Sequence, residues 1–231
     1  TALPGAETQA LAPARLEETD LLVPVTGHDP IRLVRSYNSF FDPAGPWGKG
    51  WALDLPRLDP LRLPVSRSDK GVQFQTAYEL VTPLNSVYAR FSRIESVASL
   101  NGSRLLVPDQ PGDFLGLGNG KPAFLTGETQ QLIRKDGGTW HFSQSGELVA
   151  IEQRGAQIVY ERDEKRRLSR IVGLLGQRPV ATIELRYDAS GRIERASAKG
   201  KQRETAIRYE YDANGKLAGV VSDSGRLGYR Y

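Results

Sequence analysis

Few residues of this chain are suited to catalysis, because its 231 residues include two histidines and no cysteine. A catalytic triad needs a histidine that a carboxylate orients beside a nucleophile. His28 adjoins Asp29 in a turn sequence, and His141 lies between two aromatic residues in an expected strand. A zinc site needs three or four ligands, which two isolated histidines do not supply. We therefore predict no catalytic residue, no metal ligand and no cofactor.

The glycine-rich stretch Gly116–Lys121 has the composition of a phosphate-binding loop. Such a loop has four residues between its first Gly and the Gly-Lys pair, followed by Ser or Thr. Here three residues separate Gly116 from Gly120, and Pro122, which has no N–H for a phosphate, follows Lys121. We interpret the stretch as a plain flexible loop. A pair of carboxylates for glycoside hydrolysis stays an open alternative. It is a weak one, because 27 acidic residues make chance pairs common.

Charge is distributed unevenly along the chain, whose formal net charge is +4. Residues 1–126 carry 12 Lys/Arg and 13 Asp/Glu (net −1), and residues 127–231 carry 19 and 14 (net +5). The densest basic group comprises Arg162, Lys165, Arg166, Arg167 and Arg170. Nucleic-acid interfaces usually add interleaved aromatic residues, which this group lacks, so we predict a solvated hairpin tip and no nucleic-acid partner. No apolar run approaches the length of about 18 residues that a membrane span needs.

The elements that position these residues are organised around a repeated stretch. Tyr187–Ile193 reads YDASGRI, and Tyr211–Leu217 reads YDANGKL. The residues before each copy alternate between apolar and charged, which is typical of a strand with one buried face and one wet face. The small-polar/Gly pair in each copy supplies the positive φ of a tight hairpin. The predicted structural repeat motif comprises Tyr187, Asp188, Gly191, Tyr211, Asp212 and Gly215, together with Phe142 and Gly146 of a looser upstream copy.

Looser copies of the motif lie upstream. Phe142–Leu148 keeps the aromatic residue Phe142 and the glycine Gly146, whereas Arg162–Leu168 has lost both. The copies start at 142, 162, 187 and 211, and a period of this size indicates a repeat architecture. The final Tyr-Arg-Tyr of the sequence looks like the opening of another copy, so we expect the natural protein to continue beyond this chain.

The first half of the chain also favours strands. Leu16–Pro24 and Ile31–Tyr37 flank a Gly-His-Asp-Pro turn and predict an opening hairpin. The stretch Trp47-Gly48-Lys49-Gly50-Trp51 indicates a backbone that passes close beneath large rings, in a packed plug. Leu132–Phe142 predicts a further hairpin around Asp-Gly-Gly. No stretch predicts a long helix.

Two of these stretches resemble a known family. Arg35-Ser36-Tyr37-Asn38-Ser39 followed by Gly48-Lys49-Gly50-Trp51 is similar to the module that opens bacterial Rhs proteins, ahead of their repeats, and the Tyr-Asp-x-x-Gly copies resemble the YD repeats of that family. The cap motif taken from this resemblance comprises Arg35, Tyr37, Asn38, Gly48, Gly50 and Trp51. The expected fold is all-β: antiparallel hairpin repeats that form a curved, extended sheet, as part of a β-shell or cocoon.

We divide the chain into three parts. Residues 1–15 are predicted to be a linker or extended arm, residues 16–126 an N-terminal Rhs-type cap module, and residues 127–231 YD-type β-hairpin repeats that are truncated at the C-terminal end. Whether residues 60–126 belong to the cap or to the wall of the shell stays open at this point.

The resemblance implies a non-catalytic structural segment of a shell that encapsulates a C-terminal toxin. The implied partners are the remaining repeats and the toxin domain of the same protein, with a secretion-spike or adaptor protein as a further one. The protein would be made in the bacterial cytoplasm and delivered by a secretion system. The alternative function is a surface module that binds carbohydrate or protein through Trp47, Trp51 and the tyrosine row. An enzyme is the least favoured alternative, because histidine is scarce and cysteine is absent.

Overall fold

A computed structural model of the chain describes residues 14–40, 43–68, 71–82, 84, 86–201 and 203–229. Within these residues the secondary structure is almost entirely β, with one short 3-10 turn at Ala98–Leu100. The all-β expectation is therefore confirmed. Residues 1–13, which make up most of the predicted arm 1–15, and the final Arg230-Tyr231 lie outside the described residues, whereas Arg15 begins a strand.

The described residues form twenty strands, numbered here in chain order. The first ten are β1 (Arg15–Val25), β2 (His28–Asn38), β3 (Ala44–Gly45), β4 (Gly48–Lys49), β5 (Trp51–Leu53), β6 (Arg57–Ser68), β7 (Gly71–Val81), β8 (Val87–Val97), β9 (Ser103–Pro108) and β10 (Phe114–Gly120). The others are β11 (Thr129–Arg134), β12 (Thr139–Phe142), β13 (Leu148–Gln153), β14 (Ala156–Arg162), β15 (Leu168–Leu175), β16 (Arg178–Tyr187), β17 (Ile193–Lys199), β18 (Glu204–Tyr211), β19 (Leu217–Ser222) and β20 (Gly225–Gly228).

Strands β6 to β20 form one antiparallel sheet in the order of the sequence. Each strand pairs with the strand before it and the strand after it, as successive hairpins require. Its two edges are β6 and β20. Pro60 and Pro64 lie in the edge strand β6. A proline has no N–H to donate, and an edge strand tolerates this because it pairs on one side only. The predicted stacking of hairpins side by side is confirmed, and the sheet is open.

The sheet curls strongly at its β6 end. Seven strand spacings separate β6 from β13, which is about 34 Å in a flat sheet. Nevertheless the N–H of Leu58 donates to the carbonyl of Gly146 at 2.8 Å, and Arg57 forms a β-bridge with Glu147. Burial of apolar side chains drives this curvature. One cluster unites Leu58, Leu80, Phe91, Phe114, Leu117, Leu132, Phe142 and Leu148.

A small second layer covers the apolar face of the main sheet further along. Strands β1, β2 and β5 form a three-stranded sheet, which we call the cap sheet. In β1 the side chains of Leu21, Val23 and Val25 are buried, while those between them are exposed. They pack with Ile31 and Leu33 of β2 against apolar residues of β14 to β19 in a single core.

The stretch 116–120 is a strand, and the prediction of a flexible loop there is wrong. It forms most of β10 and pairs with β11 from Phe114 to Gly120. Its glycines make room for the neighbouring strand: a Cβ on Gly116 or Gly118 would lie 2.8 Å from side-chain atoms of Leu105. Glycine is needed here because the neighbouring strand packs closely. In the sequence, glycines used in this way give the same composition as a flexible loop.

The predicted boundary between cap module and repeats falls within the main sheet. β10 and β11, which flank residue 126, are hydrogen-bonded neighbours. Strands β6 to β10 are therefore continuous with the repeats in their pairing, whereas β1, β2 and β5 form a separate layer. The division of function between residues 16–126 and 127–231 stays a prediction.

Candidate functional site

Four turns of the main sheet share one geometry, which we call the repeat turn. In each, the N–H of the first residue donates to the carbonyl four residues on, and the N–H of the fourth residue donates back to the first carbonyl, at 2.8–3.0 Å. The first residues are Ser143, Asp163, Asp188 and Asp212. The four copies found in the sequence are thus the same structural unit.

The fourth residue of every repeat turn has a positive φ. It is Gly in three turns, with φ of 80° at Gly146, 81° at Gly191 and 76° at Gly215. In the second turn Arg166 adopts the same conformation with φ of 63°. The left-handed conformation costs a non-glycine residue about 1–2 kcal/mol, so this repeat keeps its geometry without the residue that favours it.

The aspartate at the first position fixes the turn. One carboxylate oxygen of Asp188 accepts from the backbone N–H of Arg192 at 2.8 Å, and the other accepts from the Nε of Arg192 at 2.8 Å. Asp163 and Arg167 repeat both hydrogen bonds. Burial opposes ionisation of Asp188, but the N–H donors and charge of Arg192 outweigh it and lower the pKa of the carboxyl.

Each of these arginines also contacts the tyrosine of the next repeat. The Arg167 guanidinium lies 4.1 Å from the ring centroid of Tyr187, and that of Arg192 lies 4.3 Å from Tyr211. The Tyr187 hydroxyl donates to the carbonyl of Leu168 at 2.7 Å. The Tyr211 hydroxyl donates to the carbonyl of Ile193, the equivalent residue of the next repeat, at 2.6 Å. Successive repeats are therefore joined through an Arg–Tyr pair as well as through the β-ladder.

The Arg–Tyr pairs predict a loss of stability in alkali. Burial raises the pKa of Tyr187 to about 12 and also raises that of Tyr211, against the opposing charge of the arginines. An unfolded tyrosine ionises near pH 10, so above that pH the unfolded chain releases the proton first. The pairs should stabilise the fold fully below about pH 10 and progressively less up to about pH 12.

A double variant, Tyr187→Phe and Tyr211→Phe, tests this expectation. It should be less stable than the wild type at neutral pH by about 1–3 kcal/mol, because two hydrogen bonds are lost. Its urea midpoint should also fall less steeply between about pH 10 and 12 than that of the wild type. If the urea midpoints of the two proteins fell equally with pH, the tyrosine hydroxyls would not be the cause of the stability loss in alkali.

A buried ion pair within the cap sheet is tied to the main-sheet side of the molecule by two tyrosine hydroxyls. Arg35 of β2 is fully buried, and its Nε donates to Oδ2 of Asp20 at 2.7 Å. The hydroxyl of Tyr209, in β18, donates to the same oxygen at 2.7 Å. The Arg35 Nη2 donates to the hydroxyl of Tyr229. We call Asp20, Arg35, Tyr209 and Tyr229 the cap lock.

A β-bulge aims Asp20 into this site. The β1–β2 register shifts between Thr19 and Leu21, so Asp20 is the extra residue. Such a bulge changes which side chains point to each face. Accordingly the less exposed residues of β1 are Glu18 and Asp20 before the shift, and the buried residues after it start at Leu21. Burial opposes the charge of Arg35, but Asp20 outweighs it and the pKa of Arg35 is raised.

Aromatic rings surround the cap lock. The Arg35 guanidinium lies 4.5 Å from the ring centroid of Trp51 and 5.1 Å from that of Tyr229. Trp47 and Tyr209 form an edge-to-face pair with centroids 5.7 Å apart. Trp47 and Trp51 are both buried. The predicted packing of both tryptophans in the interior is what the structure shows, and neither ring is available to stack on a sugar.

The remaining residues of the predicted cap motif lie beside the lock. The Tyr37 ring packs against Trp51 at 5.1 Å, and the Asn38 N–H donates to Gly50 O at 2.9 Å. Gly50 has φ of 83°, and a Cβ there would lie 2.6 Å from the Tyr37 ring.

Gly48 joins the cap motif to the repeat motif. It has φ of 90°, and a Cβ on it would lie 2.6 Å from the carbonyl oxygen of Gly215, in the last repeat turn. Nearby, the N–H of Ile193 donates to Pro46 O at 2.7 Å. The two sets of residues predicted from the sequence thus meet at one interface. Their assignment as functional motifs stays a prediction.

The first repeat has a further contact of its own. Phe142 is buried in the cluster within the curl, and Gly146 follows it in the repeat turn. A Cβ on Gly146 would lie 2.0 Å from the carbonyl oxygen of Leu58. The glycine of this copy therefore serves both the turn and the contact between β6 and the repeats.

Sequence reasoning missed five members of these sites. It placed Asp20 in the first strand of the opening hairpin without a role, assigned Arg167 to a solvated hairpin tip, and did not single out the others, which are Arg192, Tyr209 and Tyr229. A signal for the arginines exists in the sequence, since Asp163–Arg167 and Asp188–Arg192 share one spacing and a tyrosine ends the following repeat strand. Asp20 has no comparable local signal.

Of the two histidines, His141 lies between a hydroxyl and a carboxylate, since its Nε2 is 3.7 Å from Oε2 of Glu152. His141 is buried, and burial lowers its pKa. Its Nδ1 lies 3.3 Å from Oγ1 of Thr129, which is itself buried and donates to Gly120 O. The Nδ1 of His28 lies 2.9 Å from the backbone oxygen of Asp29. Among these residues no group of three or more acidic or histidine side chains is placed to hold a metal ion, and no helix is long and apolar enough to cross a membrane.

The fold and the site together define a wall of stacked hairpins with a small covering layer: a structural β-shell element. Residues 138–231 match the sequence model of the Teneurin YD-shell family. This repeat region is accordingly similar to a YD shell. No curated protein matches the chain.

A solved structure shares the fold. In the crystal structure of TcdB2-TccC3-Cdc42, the similar chain is 13% identical with a TM-score of 0.59; the alignment covers 94% of this chain and 15% of that one. This chain thus spans about 15% of the length of that relative. The N-terminal domain of the effector protein SpvB from Salmonella typhimurium is 10% identical, with a TM-score of 0.46, and the alignment covers 92% of this chain and 100% of that domain.

Proposed function

We propose that this chain is a non-catalytic segment of an Rhs-type shell that encloses a C-terminal toxin domain for delivery by a bacterial secretion system. The observation that carries the proposal is the one-sided wall: fifteen strands in chain order, joined by repeat turns and Arg–Tyr pairs, with their apolar face turned toward a core. In this proposal residues 16–126 begin the shell and residues 127–231 continue its wall.

The edges of the main sheet support further growth of this wall. β20 has one neighbour among the described strands, and all four of its residues are exposed. An unpaired edge favours pairing with another strand. The partners in this proposal are later repeats of the same protein, its toxin domain, and a secretion-spike or adaptor protein. The protein is made in the bacterial cytoplasm and then secreted.

Protection of the toxin domain from protease tests the proposal. The full-length protein and the isolated C-terminal domain are treated with the same protease, and the half-life of the C-terminal domain is followed. Enclosure should lengthen that half-life at least tenfold over that of the isolated domain. A full-length protein with Asp20→Ala, which breaks the cap lock, serves as the comparison and should shorten it. Equal half-lives in the full-length protein and the isolated domain would reject enclosure.

A further inference from the structure

The free edge of the cap sheet borders a groove that no contact described above fills. β1 pairs with β2 on one side, and no described strand pairs with its other side. Beside that edge lies a cleft of about 470 Å³. Its wall is the continuous stretch Asp20–Pro24, and no residue of β2 lines it. Five consecutive residues of one strand line a cleft together when its backbone edge, rather than one face, forms the wall.

The floor of this β1 groove is apolar and made of small side chains. Val180, Ala198 and Thr205 line it from β16, β17 and β18, on the face of the main sheet that the cap sheet covers. A strand laid beside β1 would place alternate side chains on this floor. Main-chain hydrogen bonds from an edge, together with pockets for alternate side chains, are the features by which proteins capture an extended peptide.

The rim of the groove is basic. Lys201 and Arg203 line it from the turn between β17 and β18, and both residues are exposed. Neither forms an ion pair with another described residue, whereas many arginines of the main sheet do. The one acidic residue of the lining, Asp20, is already paired with Arg35. The charge that the groove presents to a ligand is therefore positive.

We propose that the β1 groove binds an extended peptide that carries acidic side chains, by adding it as a fourth strand to the cap sheet. Pro24 has no N–H to donate, so backbone pairing is confined to the residues before it, from Asp20 to Val23. Apolar side chains of the peptide contact the floor, and its carboxylates lie at Lys201 and Arg203.

The probe is a fluorescein-labelled ten-residue peptide of alternating Val and Glu, measured by fluorescence anisotropy with the full chain. We expect it to bind at least tenfold more tightly than the same peptide with Lys in place of Glu. Methylating the backbone nitrogens on one edge of the peptide should abolish binding, since it removes the donors to β1. Methylating those on the opposite edge should leave the affinity unchanged.

Charge reversal in the protein locates the site. Lys201→Glu with Arg203→Glu should weaken binding of the acidic peptide about tenfold, because two exposed ion pairs are lost and repulsion replaces them. Lys121→Glu with Lys165→Glu makes the same change of net charge at two exposed lysines outside the groove and should leave the affinity within about twofold. The methylated peptides test the groove on the unchanged protein if a variant does not fold.

Several results would overturn the proposal. The first is failure of the acidic peptide to bind, and the second is equal binding of the acidic and basic peptides. The third is equal weakening by the two charge-reversal variants, and the fourth is that neither of the two edge-methylated peptides binds more weakly than the unmethylated one. If sedimentation shows that the chain forms dimers and that Lys201→Glu with Arg203→Glu dissociates them, the edge is occupied by a second copy and the peptide proposal is wrong.

Discussion

Asp20→Ala should lower the free energy of unfolding by about 3–5 kcal/mol, the cost of leaving one partner of a buried ion pair without the other. The variant leaves the Arg35 guanidinium in a site where its side chain is 1% exposed, and it removes the acceptor of the Tyr209 hydroxyl. Urea unfolding followed by tryptophan fluorescence measures the change, because both tryptophans of the cap lie beside the lock.

Two comparisons separate the buried charge from other effects. Asp59→Ala breaks an exposed ion pair with Arg57 and should cost less than about 1 kcal/mol. The double variant Asp20→Leu with Arg35→Met removes both charges, so it should be more stable than Asp20→Ala alone. A cost for Asp20→Ala as small as that for Asp59→Ala would contradict the role assigned to the cap lock.

Gly146→Ala should be the second strongly destabilising substitution, by about 2–5 kcal/mol. Its φ of 80° strains any other residue by about 1–2 kcal/mol, and the overpacking adds about 1–3 kcal/mol. The added Cβ would lie 2.0 Å from the carbonyl oxygen of Leu58, which is backbone and cannot rotate away. The contact that curls the sheet onto its first repeat should then open.

Gly155→Ala is the matched control for Gly146→Ala. Gly155 has φ of 77°, and nothing described lies within 4 Å of its added Cβ, so this variant measures the backbone strain alone. Hydrogen exchange at the Leu58 amide, which donates to Gly146 O, should accelerate in Gly146→Ala and not in Gly155→Ala. Equal stability losses and unchanged exchange would show that the curl does not depend on this contact.

The repeats were predictable from the sequence because their determinants are local. The aspartate that fixes the turn, the glycine with positive φ and the strands on either side lie within about 20 residues of one another. Even the second copy, which lacks the aromatic residue and the glycine, forms the same turn, because Asp163 keeps its hydrogen bonds and Arg166 adopts the unfavourable conformation.

The covering of the wall was not predictable in the same way. Alternation in β1 indicates a strand, but the bulge at Asp20 changes its inward face partway along, and no local pattern marks the change. The tyrosines of the cap lock lie 189 and 194 residues from Asp20 and Arg35, so no local spacing relates them. In β10 the glycines serve close strand packing, and composition alone cannot separate that use from a loop.

The cap lock also sets an order of events during synthesis. Asp20 and Tyr209 are 189 residues apart, and Arg35 and Tyr229 are 194 apart. At about 5–20 residues per second, a ribosome needs about 10–40 s to make the second member of either pair after the first. The opening hairpin therefore leaves the ribosome long before the surface that buries it exists. The cap lock cannot close before Tyr209 and Tyr229 are made, so until then a nascent chain leaves the Asp20–Arg35 pair without its tyrosine partners.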